Sequence, residues 1–564
     1  MIGCTEARTT LRRYPRRTFR PWETGWRSCV LRDCRRWMRL CPRDRRATEM
    51  IAAAVLPVLV LSVVLWKVAR VGFYAALLLV FAFWWQLLSV IYIESHPGLL
   101  LVSTWSVAQS IGASWALSWA FSSFLAGTLL VVWLGSHHGN RHLAGDRTAG
   151  ASLPPSSGPA LEGAPQPDHG TVGPTTLQQR LDGGSSTELD GGNPVDSPAP
   201  KSSLLAGSGK FPLAVAFTAA LYAFVDAVIS PNALTGAGDV RATFYQTASL
   251  PFALELSVGA PVFAVMAGIV AVRNKPGSGL RKISYLVFLM GLVTLYLTGV
   301  EFTGYVQHAF SFFLPAMLVQ SDRLRARRDG TRRRLSKWWG VGAVMVGAFA
   351  LFKLLSFRQV TIYSEVAGST LSRFMYRAFA LQGEVFWATF AKFGDAPVFS
   401  QLSSELQVLA GRAPSTQSGI YVLMDALSPS GANQAGYTLN SGYPAILIYI
   451  FGSGLATVGV CFLGGLLFGL IALVVAHSIL RGSMLLAACG YGVLYSLYLA
   501  FTMGGALYIS SRLMYVSLVG LVIAALRQAG TERESEPDKL GSPGHGSTGD
   551  AILSSHDSEV GENA

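Results

Sequence analysis

Charged side chains are scarce in this chain: Asp, Glu, Lys and Arg make up 14% of its 564 residues, against about a quarter in an ordinary soluble domain. Most of the chain therefore cannot face water. Signatures of familiar chemistry are missing too. The sequence has no P-loop, no G-x-S-x-G, no D-x-D pair of the kind metal-dependent sugar-nucleotide transferases use, and no metal-ligand spacing among its six cysteines. These absences argue against a nucleotide-dependent enzyme, and no cofactor, no metal site and no nucleic-acid partner is expected. Period-2 alternation is also lacking, which speaks against a membrane barrel.

What is present is apolar length. Runs of about 18 to 25 apolar residues, enough for a helix to cross about 30 Å of hydrocarbon, recur at 51–66, 71–93, 115–135, 211–230, 252–272, 283–300, 304–320, 338–356, 454–479, 483–503 and 507–526. The expected fold class is an all-α polytopic integral membrane protein of eleven transmembrane helices, or twelve if the run 98–135 crosses twice. Residues 1–49 hold fourteen arginines and four cysteines and read as a basic disordered leader, with Met50 as an alternative start and a transit peptide as another reading. The remaining segments are a membrane block at 50–135, a disordered Gly/Pro/Ser-rich linker at 136–209, a central membrane block at 210–356, a large extracytoplasmic loop at 357–442, a last membrane block at 443–526 and a disordered tail at 527–564.

Orientation follows from the basic loops. Residues 273–282 carry four basic and no acidic side chains, and 321–337 carry eight basic against two acidic, so both are expected on the cytoplasmic side. The linker and the C-terminus then lie inside, and 231–251 and 357–442 outside. Glu94, Asp226, Glu255, Glu301, Lys353 and Arg512 fall near the outward ends of their helices, a pattern that suits a cavity at the outer leaflet or plain interfacial anchoring.

The stretch SRFMYRAFALQGEVFWATF lies in the large loop. As a helix over 369–392 it would put Arg373, Arg377 and Glu384 within about 40° of one another, with aromatic and aliphatic side chains on the rest, as in a helix lying on the membrane surface or capping the bundle. Gly383 weakens such a continuous helix by about 1 kcal/mol, enough that it could break there. Paired guanidinium forks suit pyrophosphate, and a nearby carboxylate could take a proton from a sugar hydroxyl. A face of internal ion pairs with no ligand accounts for the same spacing. Asn440, Gly442, Tyr443 and Pro444 read as a helix start where the loop re-enters the bilayer, and Gly465 and Gly469 as sites of close helix packing.

Three stretches, YRAFALQGEVFWATF, LTGVEFTGYVQHAFSFFLPAML and NSGYPAILIYIFGSGLATVG, resemble oligosaccharide repeat-unit polymerases of the O-antigen polymerase (Wzy) type over roughly residues 211–526. The turn carries Glu301 where that family usually has a basic residue. The resemblance implies a metal-independent, inverting glycosyltransferase in the cytoplasmic membrane. At the outer face it would pass a glycan from undecaprenyl pyrophosphate to the terminal hydroxyl of another lipid-linked repeat unit. It implies catalytic roles for Glu384, as general base or in orienting the acceptor, and for Arg377, which with Arg373 holds pyrophosphate; it puts Gln382 on sugar hydroxyls, with Arg241 and Arg512 completing an anionic-ligand clamp. Implied partners are the lipid-linked oligosaccharide, the membrane, a chain-length regulator and a flippase. A ligase acting on the same carrier and a non-catalytic transporter of lipid-linked glycans are the competing expectations.

Overall fold

The computed structural model describes residues 45–68, 73–96, 112–149, 209–232, 234–235, 249–299, 302–326, 379–414, 417–427 and 441–534. All regular structure among them is helical: α1 (Arg45–Val68), α2 (Phe73–Ser95), α3 (Ala113–Ala149), α4 (Lys210–Ile229), α5 (Ala253–Val258), α6 (Ala260–Arg273), α7 (Gly279–Leu297), α8 (Phe302–Ala326), α9 (Leu381–Phe393), α10 (Gln401–Leu409), α11 (Gly419–Leu427), α12 (Tyr443–Phe451), α13 (Leu455–Arg481), α14 (Met484–Leu499) with a π-turn at Ala500–Gly504, α15 (Ala506–Ile509) and α16 (Arg512–Glu534). Six of these are long and apolar enough to cross a membrane, and Ala53–Trp66 and Ala260–Arg273 are shorter apolar stretches. This is the architecture of a multi-pass membrane protein. The span expected at 338–356 lies outside the described residues, as do most of the leader, the linker beyond Ala149 and the tail beyond Glu534.

Several boundaries differ from those read in the sequence, each for a local reason. The run 252–272 is not one helix. It breaks at Gly259, whose N–H closes α5 on the carbonyls of Glu255 and Ser257, and α6 restarts with Pro261, which has no N–H to give. The run 483–503 ends in the π-turn, and 507–526 divides into α15 and α16 at Ser510 and Ser511. Both α3 and α16 run on, to Ala149 and Glu534, past the ends expected for their spans.

The largest change concerns the segment expected as a surface helix. α9 begins at Leu381, so it includes Gly383 rather than breaking there. Residues Gly383 to Thr389 are all buried, and α9 lodges against α2, α3 and α12 inside the bundle. Gly383 is required by that approach: a Cβ there would stand 2.6 Å from the backbone nitrogen of Val90 and 2.8 Å from Cβ of Ser89. A second short helix, α12, is apolar on every side and buried from Tyr443 to Ile450. Its nine residues fall well short of the roughly 20 that span a bilayer, and Gly452, with φ 76°, turns the chain back into α13.

Apolar burial cannot by itself hold helices together in lipid, so close backbone contact has to contribute. α3 and α13 meet through glycines: a Cβ on Gly465 would lie 2.0 Å from the carbonyl oxygen of Phe124, and one on Gly127 would lie 2.3 Å from that of Phe462. Thr128 Oγ1 and Ser123 Oγ donate across the seam to the carbonyls of Gly465 and Val458, at 3.1 and 3.0 Å. The outward faces carry exposed large apolar side chains, such as Leu463, Leu467 and Leu470 on α13 and Val516, Val519 and Ile523 on α16. Lipid is the environment such faces suit. Gly465→Val should lower the thermal midpoint of the solubilised protein by about 2 °C or more, since overpacking costs about 1–3 kcal/mol; an unchanged midpoint would count against this contact.

Candidate functional site

One end of the bundle is marked by Arg273, whose guanidinium occupies the space a side chain on Gly482 would need. The chain directions of α6, α13 and α14 put Glu405, Glu255, Gly505 and Arg512 at the opposite end, and the polar features converge there.

Of the residues singled out in the sequence, Glu384 lies in the first turn of α9 with 0% of its surface exposed. A buried carboxylate costs several kcal/mol unless its surroundings compensate, and this one is followed by Val385, Phe386, Trp387 and Ala388, all buried. Gln382, half-buried, opens the same helix. Arg241, Arg373 and Arg377 lie outside the described residues, so their placement beside Glu384 stays an expectation. Arg512 opens α16. Its Nη1 donates to Glu255 Oε1 at 2.8 Å, and its guanidinium stands 5.6 Å from the centre of the Phe252 ring.

A carboxylate that the sequence did not mark is the best-connected group in the region. Glu405 sits on α10, 3% exposed. Its Oε2 accepts the N–H of Gly419 at 2.5 Å and the hydroxyl of Ser418 at 3.4 Å, and its Oε1 accepts the N–H of Ala506 at 3.1 Å. The first N–H groups of a helix have no partner within it and carry partial positive charge. One side chain thus serves the starts of both α11 and α15. The fit needs glycine on both sides: Cβ atoms on Gly419 and Gly505 would lie 3.1 and 3.3 Å from its oxygens and still closer to Ile446, and Gly505 has φ 59°. The Tyr443 hydroxyl faces the same carboxylate without a hydrogen bond of ordinary geometry. Burial pushes the Glu405 carboxyl above its usual range; the donors at Gly419, Ala506 and Ser418 pull the other way and do not cancel it.

Below this cluster an uncharged polar seam runs into the bundle. Gln86 Nε2 donates to the Thr502 carbonyl at 3.0 Å, within the π-turn, where the regular i−4 bonding is broken. The backbone at Gly442 rests on the same turn, since a Cβ there would lie 2.1 Å from the Phe501 carbonyl oxygen. Further along α14, the Tyr495 hydroxyl donates to Gln307 Oε1 at 2.9 Å, and Tyr491 and Ser311 share a hydrogen bond of 2.5 Å. Tyr491, Tyr495 and Tyr498 lie on one helix face with near-parallel rings 6.4 and 6.2 Å apart. His308, bonded through Nε2 to the Phe288 carbonyl at 3.0 Å, fills the room left by Gly291. The spacing of the three tyrosines and of Gln307 and Ser311, each along one helix face, is the signal that could have pointed to them; Glu405 carries no such mark. Glu94 Oε1 accepts from Gly112 and Ser114 at the start of α3, at 2.8 and 3.2 Å. Among the described residues no three His, Cys, Asp or Glu side chains are grouped to hold a metal ion.

A family of unknown function (DUF6418) matches residues 413–517. The backbone donors that meet Glu405, and the facing Tyr443, all fall in that segment. No curated protein and no solved structure matches the chain.

Because the folded-state pKa of Glu405 is raised, the folded protein holds its proton more tightly than the unfolded chain does. The linked stability is full below the ordinary carboxylate range and is lost as pH rises through the elevated value. The thermal midpoint of the wild type should therefore fall as pH is raised above that range, and Glu405→Gln should flatten the fall. A midpoint that climbs with pH in both proteins would contradict the assignment.

Proposed function

We propose that the protein is a membrane glycan polymerase. It joins lipid-pyrophosphate-linked oligosaccharide repeat units into a surface polysaccharide at the outer face of the cytoplasmic membrane, with 357–442 extracytoplasmic and the C-terminus inside. The observation that carries this reading is Glu384: a fully buried carboxylate on a short helix set among membrane helices, at a segment that resembles the polymerase family. In the proposed reaction Glu384 takes the proton of the acceptor hydroxyl as its oxygen bonds to the anomeric carbon of the donor. The bond from that carbon to the pyrophosphate oxygen breaks on the opposite face, with inversion, and lipid pyrophosphate leaves. Arg373 and Arg377 hold its charge; Gln382 orients sugar hydroxyls, and Arg241 and Arg512 extend the binding surface. A chain-length regulator and a flippase would act beside it.

A second reading, a transporter of lipid-linked glycans, is favoured by the uncharged seam of Gln86, Gln307, Ser311 and the three tyrosines. A ligase on the same carrier shares the donor chemistry. Deleting the gene separates the three: single-repeat surface glycan for a polymerase, unattached lipid-linked polymer for a ligase, and repeat units trapped on the inner leaflet for a transporter. In purified protein given lipid-linked repeats, Glu384→Gln should reduce polymer formation by about a hundredfold or more, the usual share of a general base. Retained activity in well-folded protein would remove Glu384 from the chemistry. Sidedness is tested at the exposed position Asp395. In a background with all six cysteines replaced, Asp395→Cys should react with an impermeant thiol reagent in intact cells, and protection until lysis would place the loop inside.

A further inference from the structure

α5 opens on a strained residue. Phe252, with φ 63°, is the one non-glycine in the left-handed region among the described residues, a conformation that costs an L-residue about 1–2 kcal/mol. Burial of the ring does not offset that cost, for Phe252 is 62% exposed. Its conformation is imposed from behind. The N–H of Leu250 donates to Oδ1 of the buried Asp226 at 2.7 Å, the N–H of Ser249 donates to Ser230 Oγ at 3.2 Å, and the Tyr222 hydroxyl donates to the Pro251 carbonyl at 2.9 Å. Three bonds to or beside α4 thus hold the residues just before Phe252. Strain that the surroundings over-determine is a recurrent property of binding sites.

What the strain presents is an aromatic ring at the rim of the bundle, next to the pair of Arg512 and Glu255. The side chains of that pair are 69% and 36% exposed. The pair has no net charge, so it offers little to a phosphate, whose binding calls for unmatched cations. It does offer several N–H donors and carboxylate acceptors beside an apolar ring face. That combination fits a neutral chain rich in hydroxyls, its C–H face on the ring and its hydroxyls on Arg512 and Glu255. The Tyr515 hydroxyl, one turn beyond Arg512, donates to the Leu409 carbonyl at 3.2 Å and ties this rim to α10, the helix of Glu405.

We propose that Phe252, Glu255 and Arg512 form a docking platform for a neutral glycan chain, the acceptor in the reaction proposed above, on which this assignment rests. Arg512 then serves the sugar and not the pyrophosphate. The probe is the oligosaccharide released by mild acid from the host cell's own surface polysaccharide, titrated by saturation-transfer NMR against the full-length protein in nanodiscs. Phe252→Gly removes the ring and relieves the backbone strain, so the variant should be at least as heat-stable as the wild type while binding the probe about tenfold more weakly, a loss of about 1.4 kcal/mol. Arg512→Gln should weaken binding comparably, and inorganic pyrophosphate should not displace the probe. Unchanged affinity in Phe252→Gly would overturn the proposal, since the ring would then be only an interfacial anchor. Displacement by pyrophosphate would overturn it in favour of an anion clamp, and absence of probe binding to the wild type would overturn it outright. Wild-type protein that binds the probe through Phe252 but never extends lipid-linked repeats would sink the polymerase reading alone.

Discussion

The Glu405 carboxylate, buried between the starts of α11 and α15, is the interaction on which the arrangement of this end of the molecule depends. Without it, backbone N–H groups at two helix starts would face apolar surroundings unpartnered, a cost of about 1–3 kcal/mol for each. Its two oxygens join segments that are remote in sequence: the helices of the polar stretch before Tyr443, and the turn that links the last two long helices. Ile446 of α12 fills the space beside both contacts. The short buried helix is thereby fixed, and α9, packed against α12, is fixed with it. The place of Glu384 inside the bundle rests on these contacts together with the packing of α9 on α2 and α3.

Glycine and small polar groups do in the membrane what apolar burial does in water. Gly127, Gly465, Gly442 and Gly383 each allow backbones to touch where any side chain would collide. Hydroxyl and amide side chains then bond across the gap, as Thr128 and Gln86 do. The seam of tyrosines and Gln307 belongs to the same set of contacts, because Tyr495 bonds Gln307 and Tyr491 bonds Ser311. For that reason the transferase reading, with its buried carboxylate near the bundle's end, is preferred to a conduit. The strained turn at Phe252 is different in kind. Among the described residues no buried contact calls for an exposed ring there, yet hydrogen bonds with Asp226, Ser230 and Tyr222 hold the residues just before it.

The membrane class and most helix positions were legible in the sequence because apolar runs of sufficient length have few other uses. The helix start at Tyr443 was legible too, through Gly442 and Pro444, as was the close packing at Gly465. Other features were not. Glu405 sits in QLSSELQVL, which reads as an ordinary solvated segment, and its backbone partners lie 14 and 101 residues away. The stretch around Glu384 reads as amphipathic because its aromatics could equally face lipid or protein. Gly383 reads as a helix breaker when it is judged by propensity alone.

Sequence alone thus determined that the chain is a multi-pass membrane protein and where most of the described long helices run, since hydrophobic length is a local quantity. Only the tertiary structure decided that the run 252–272 breaks to present Phe252, that α9 is enclosed by its neighbours, and that Glu405 faces two helix ends. Each of these depends on which distant backbone lies opposite, and no spacing within one segment encodes that.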